Sequence, residues 1–292
     1  MDEFITITSG ELTAKIAVQG AELTSFTDQQ GRELMSSGDP AYWRGRAPLL
    51  FPIVGRLNED ILRLGENIYS MQKHGFARRS DFRIVETSED TILLRLNQTE
   101  QTLVQYPFPF EMDARFQLES NTLRQTVTIR NTGANDMPFS FGFHPAFAWP
   151  LPFGGSRGDH SITFAEDEPA NLCRVTPYGT IGTSAAATPV DGRNIALADG
   201  LFCDDALVWR ELNSRALTYG SPNFPHLDIA FPDTPWLGIW TKPGAAFVCI
   251  EPWAGMADPG GYNGDFRDKP GIISLPSGEE RSFRMDVSLI HP

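Results

Sequence analysis

The sequence predicts an all-β fold, a sandwich or a barrel, on three observations. Apolar and polar residues alternate over many short runs. Turn-forming residues punctuate the runs from end to end, with 26 Gly and 22 Pro in 292 residues. Helical periodicity is nearly absent: the best stretch, Glu100–Gln105, stops at Pro107.

In chain order, Phe4–Thr8 and 12–18 alternate between Ser9-Gly10 and Gly20. Successive side chains of a strand point to opposite faces, so alternation buries one face. The same pattern returns at 82–85, 92–96, 123–129, 216–219, 237–240 and 283–289, which read as half-buried strands. Asn131-Thr132-Gly133, Pro222-Asn223, Pro243-Gly244 and Ser277-Gly278 supply turns between them. No repeat or linker divides the chain, and 150–158 is loop-like but short. One domain over 1–292 is expected, because all-β units often exceed the prior of about 150 residues per domain. The stretch 256–271, rich in Gly, Asp and Pro, reads as a long surface loop of the kind that often carries function.

Composition narrows the function classes. Hydrophobic residues at 41% and charged residues at 21% suit a soluble globular protein. A net charge of -13 argues against nucleic acid and anionic membranes as partners, since both select basic surfaces. Three cysteines, Cys173, Cys203 and Cys249, are odd in number and lack metal-ligand spacing. They predict neither a disulfide framework nor a zinc site. Asp2 and Glu3 stand where a secretory leader carries bases, and no apolar core follows. No run approaches the roughly 20 apolar residues that span a bilayer, so a cytoplasmic location is expected. One stretch departs from the acidic average: 44–79 holds Arg44, Arg46, Arg56, Arg63, Lys73, Arg78 and Arg79 against Glu59, Asp60 and Glu66. That excess reads as a solvated face or as arginines facing a substrate anion.

Three segments could carry chemistry. His74 sits beside a glycine in KHGFAR. His144 is a polar ring inside the aromatic run FGFHPAF, and the proline after it holds it extended. Glu251 ends the apolar run FVCI and precedes Pro252-Trp253. An imidazole or carboxylate in such surroundings is either held structurally by hydrogen bonds or is a site group with a displaced pKa. Of the other histidines, His160 reads as a surface residue, His226 as a turn residue opening a strand, and His291 as a tail residue. No nucleophile elbow, phosphate cradle or metal-ligand motif occurs.

At these segments the sequence resembles the aldose 1-epimerase (galactose mutarotase) family, in particular a shorter, LacX-like bacterial branch. The resemblance rests on RAPLLFPIVGRL at 46–57, HGFAR at 74–78, FGFHPAF at 141–147, DDAL at 204–207, GIWTKPG at 238–244 and CIEPW at 249–253. Six motifs in one order cover nearly the whole chain. The resemblance implies a large antiparallel β-sandwich, or supersandwich, with the site in a groove on one sheet. It implies Glu251 as general base and His144 as general acid, with no cofactor and no metal. It makes His74 and Arg56 substrate-positioning groups, and Asp205, or its neighbour Asp204, the aspartate that binds sugar hydroxyls. After Arg56, Leu57-Asn58-Glu59 departs from the galactose-specific members, so a preference for galactose does not carry over.

Mutarotation fits such a set because it needs only proton traffic. A base takes the anomeric hydroxyl proton while an acid protonates the ring oxygen. The ring opens, the carbonyl rotates, and the ring recloses on the other face. The expectation is an ionised Glu251 and a protonated His144 on different sides of the sugar, with Trp240 or Trp253 against its C–H face. A hexose 6-phosphate is the alternative substrate, with Arg44 and Arg46 on the phosphate. A carbohydrate-binding protein without catalysis is the alternative of another class.

Overall fold

Two large antiparallel sheets carry the chain, and the computed structural model describes residues 3–292 of it. Asp2 lies outside the described residues. A nine-stranded sheet is built around the hairpin Phe110–Glu119 and Thr122–Asn131, with Glu280–Ile290 beside the second strand. An eight-stranded sheet is centred on Trp236–Trp240 and Phe247–Ala254. Alternation explains how they pack. Phe110, Met112, Ala114, Phe116 and Leu118 point inward with Val127, Ile129 and Phe283. They meet Phe141, Phe143, Leu237, Ile239, Val248 and Ile250 of the other sheet in one hydrophobic cluster. Phe283 stacks on Phe141 across the layers, ring centroids 4.7 Å apart.

The all-β expectation holds. Each strand expected from alternation is present, and the α-helix is Glu100–Gln105, capped by Thr99, whose side chain accepts from the Thr102 N–H. Three local readings are corrected. Arg83–Thr87 is exposed along its length because it is an edge strand of the larger sheet. The stretch 256–271 is not simply a surface loop. Met256, Ala257, Asp258, Phe266 and Lys269 are buried, and Lys269 Nζ lies 3.6 Å from Asp258 Oδ1. His160 is buried rather than exposed: its Nε2 accepts from the Leu151 N–H at 3.0 Å, so its Nδ1 donates to the Ser156 carbonyl at 2.9 Å.

The outer face of the eight-stranded sheet matters for function. Along Phe247–Ala254 every residue is buried, but the two faces differ. Val248 and Ile250 enter the inter-sheet core, whereas Phe247, Cys249, Glu251 and Trp253 point away from it. On the neighbouring strand Leu237 and Ile239 face the core, leaving Trp236, Gly238 and Trp240 on the outer side. The Trp253 indole lies across Gly142 and Gly238, where an added Cβ would come within 2.5 Å of it. Those two glycines let a flat ring rest on the sheet.

Candidate active site

A cavity of about 300 Å³ opens on that outer face. Its lining includes Glu251, His144, His74, Asp205, Trp240 and Trp253, which come from five separate segments of the chain. Local backbone explains how the two central residues converge. The strand Ala146–Ala148 pairs with Phe247–Ala254 in the register Ala146 opposite Cys249, and the Pro145 carbonyl accepts from the Ile250 N–H at 3.1 Å. This seats His144 beside Glu251, with Nε2 3.1 Å from Oε2. His144 and Glu251 are therefore neighbours on one wall, where the expectation set them on different sides of a sugar. O1 and O5 of a pyranose are both bonded to C1, so adjacent groups can serve both.

Burial sets the electrostatics of the pair. It holds the Glu251 carboxyl well above the usual carboxylate range, a rise that Lys73 and Arg78 oppose and the Asp205 charge adds to. Burial likewise drives the His144 imidazolium down to about 3, helped by the Arg78 charge. Both shifts disfavour a separated charge, so the pair favours a carboxylic acid beside a neutral imidazole over a carboxylate beside an imidazolium. Trp43 covers His144 in a stacked contact at 4.8 Å and meets Trp240 edge-on at 5.8 Å.

His74 is positioned by strain and by two hydrogen bonds to Gly55, whose carbonyl accepts from the His74 N–H at 2.8 Å. Its φ is +68°, outside the usual range for a side chain of this size, and Gly75 beside it packs directly on the Phe51 carbonyl. The Gly55 N–H donates to His74 Nδ1 at 3.1 Å. The ring proton is thus on Nε2, and burial, then the charges of His144, Lys73, Arg78 and Arg79, keep the imidazole neutral. Asp205 also has a left-handed backbone, φ +77°, and its Oδ1 accepts from the Ala206 N–H at 2.7 Å. Asp204 is directed to solvent, where it pairs with Arg174 at 3.0 Å. Of the two aspartates, Asp205 is the one at the cavity.

The structure does not bring the three expected arginine side chains into the lining. Arg56 turns outward and is clamped by Asp60, with Nε–Oδ1 at 2.7 Å and Nη2–Oδ2 at 2.6 Å. Its backbone neighbour Gly55 reaches the cavity instead. The Arg46 guanidinium donates to the backbone carbonyls of Thr24 and Ser37, tying the strand Glu22–Asp28 to the loop after it. Arg44 is exposed and lies outside the lining. The cations that do line the cavity are Lys73 and Arg78, and neither forms an ion pair among the described residues. Both flank His74 in a segment singled out for its histidine. Trp43 was also missed, since nothing in its sequence neighbourhood marks it.

One potential metal-ligand set appears among the described residues: one donor atom each of His144, Cys249 and Glu251, all within 4.8 Å of one another. Sequence spacing could not show it, because the histidine comes from a different strand connection.

Comparison with known proteins identifies the family. The aldose 1-epimerase family model matches residues 3–182. The LacX protein of Lactococcus lactis is 29% identical over 290 residues, covering 96% of this chain and 97% of the relative. A galactose mutarotase related enzyme from Lactobacillus acidophilus superposes with a TM-score of 0.91 at 30% identity, over 99% of this chain and 97% of its own. A galactose mutarotase-like protein from Lactobacillus casei gives 0.92 at 29% identity, over 99% and 100%. The strand-built groove, the buried carboxylate–imidazole pair and these matches together place the chain in the aldose 1-epimerase family.

Proposed function

We propose that the protein interconverts the α and β anomers of an aldose, with Glu251 as base and His144 as acid. The observation that carries this reading is the buried Nε2–Oε2 contact of 3.1 Å facing a sugar-sized cavity. With one proton on the pair, the form Glu251 carboxylate–His144 imidazolium has the reactive arrangement. The carboxylate takes the O1 proton as the imidazolium protonates O5, and the C1–O5 bond breaks. The pair then stands as carboxylic acid and neutral imidazole, the arrangement burial favours. Rotation about C1–C2 and the reverse transfers, from the carboxylic acid to O1 and from O5–H to the imidazole, close the ring on the other face and restore the starting pair. General acid–base catalysis of this type contributes typically ~10²–10⁴-fold. His74 Nε2–H and Asp205 supply a donor and an acceptor for sugar hydroxyls, and Trp240 a flat apolar wall. No step in this scheme needs a metal or cofactor.

A second reading is favoured by Lys73 and Arg78, whose unpaired charges face the cavity: the substrate is a hexose 6-phosphate. Polarimetry on freshly dissolved α-D-glucose, α-D-galactose and their 6-phosphates tests both. Acceleration of the free sugars supports the first reading. Acceleration of the phosphates alone supports the second, and acceleration of none overturns the enzyme.

A further inference from the structure

We propose that the His144–Glu251 pair at the cavity, with the fully buried Cys249 behind it, is also a binding site for a zinc-like divalent cation, held by Cys249 Sγ, His144 Nε2 and a Glu251 carboxylate oxygen, and that the ion shuts off the acid–base pair.

Cys249 and Glu251 are two apart on one strand and so share its outer face. His144 Nε2 is 3.1 Å from Glu251 Oε2, and the three donor atoms lie within 4.8 Å of one another. Zinc takes sulfur, imidazole nitrogen and carboxylate oxygen at ~2.0–2.3 Å in tetrahedral sites, which places ligand atoms about 3.5 Å apart. The set closes onto an ion by moving roughly 1 Å, within the reach of side-chain rotation. His144 and Glu251 line the cavity, so an ion reaches the set from that side. Sulfur and imidazole donors select zinc, cobalt and similar ions over magnesium and calcium.

Charge balance also fits. On binding, the Cys249 thiol proton and the proton shared by Glu251 and His144 leave to solvent. Thiolate and carboxylate then cancel the charge of the ion, so the filled site is neutral beside Lys73 and Arg78. Resident metal centres usually anchor each histidine through its second nitrogen. His144 Nδ1 is buried with no hydrogen-bond partner. Without that anchor an ion is held less tightly and exchanges with solution. The inhibitory half of the inference rests on the acid–base reading above; the binding half does not.

The test is titration of the chelator-stripped, full-length protein with Co²⁺ and then Zn²⁺. Expected are one ion per chain, an intense near-ultraviolet thiolate-to-cobalt band displaced by zinc, and loss of mutarotation restored by EDTA. Cys249→Ser should abolish the band and weaken zinc binding by at least the ~10–100-fold that losing even an outer partner costs. Cys203→Ser should change neither. Absence of a saturable band in the unmodified protein, or its persistence in Cys249→Ser, overturns the site. Full mutarotation with the ion bound overturns the inhibition. If the unmodified protein has no mutarotase activity, the acid–base reading fails while the cobalt band still decides the site.

Discussion

Replacing Glu251 by glutamine removes one ionisable group and leaves the packing in place. The side chain is 3% exposed and wedged beside His144, and glutamine has nearly its shape. Its amide can donate to the neutral His144 Nε2, so the buried contact survives. What disappears is the base, and with it the shared proton. General acid–base catalysis is worth ~10²–10⁴-fold, which corresponds to about 3–5 kcal/mol of transition-state stabilisation at ~1.4 kcal/mol per tenfold. Stability should respond differently. Burial raises the folded-state pKa of Glu251, so its contribution is fully present below the ordinary carboxylate value and is lost as pH rises through the raised one. The variant lacks that loss, so its thermal midpoint should fall less than that of the parent between mildly acid and alkaline pH. Polarimetry on a fresh α-aldose in a weakly catalytic buffer reads the first effect, and calorimetry across pH reads the second. Retention of more than about a tenth of parental activity would refute Glu251 as the base, because a ~10²-fold effect is the lower end of that range.

Three further outcomes follow from the geometry. The dependence of kcat/KM on pH should be a bell whose acid limb lies well below the ordinary histidine value of 6.5, since burial holds His144 at about 3, and whose alkaline limb lies above the ordinary carboxylate range; stopped-flow polarimetry yielding a flat profile would count against the pair. Arg78→Ala should lower kcat/KM at least ~10-fold through a lost charge-assisted contact, whereas Arg56→Ala should stay within about threefold and cost about 0–1 kcal/mol of stability, because its exposed pair with Asp60 faces solvent. Equal losses in the two variants would contradict the placement of the cavity. Phe283→Ala removes a fully buried ring stacked on Phe141 between the sheets and should cost about 3–5 kcal/mol in denaturant unfolding; a loss below 1 kcal/mol would mean the two sheets do not share that core.

Much of this protein was legible in one dimension because strand periodicity is local. A residue's face is decided by its parity along the strand, so Thr122–Asn131 and Glu280–Ile290 announce themselves without partners. His74, His144 and Glu251 were legible too, as polar groups in apolar or glycine-bound surroundings that a soluble chain must account for. Arg44, Arg46 and Arg56 misled for the opposite reason. A long flexible side chain can turn to either side of its backbone, and only the neighbours decide. Asp60 draws Arg56 outward, and the Thr24 and Ser37 carbonyls hold Arg46. Lys73 and Arg78 share the same motif and line the cavity. Tertiary structure likewise decided that Asp205 and not Asp204 meets the cavity, Asp204 being paired with Arg174 at the surface. It also put Cys249 beside the His144–Glu251 pair, through the register of Ala146–Ala148 against Phe247–Ala254. Periodicity and residue type act along the chain and can be read there. Convergence of side chains depends on pairings between distant strands, and no local pattern records it.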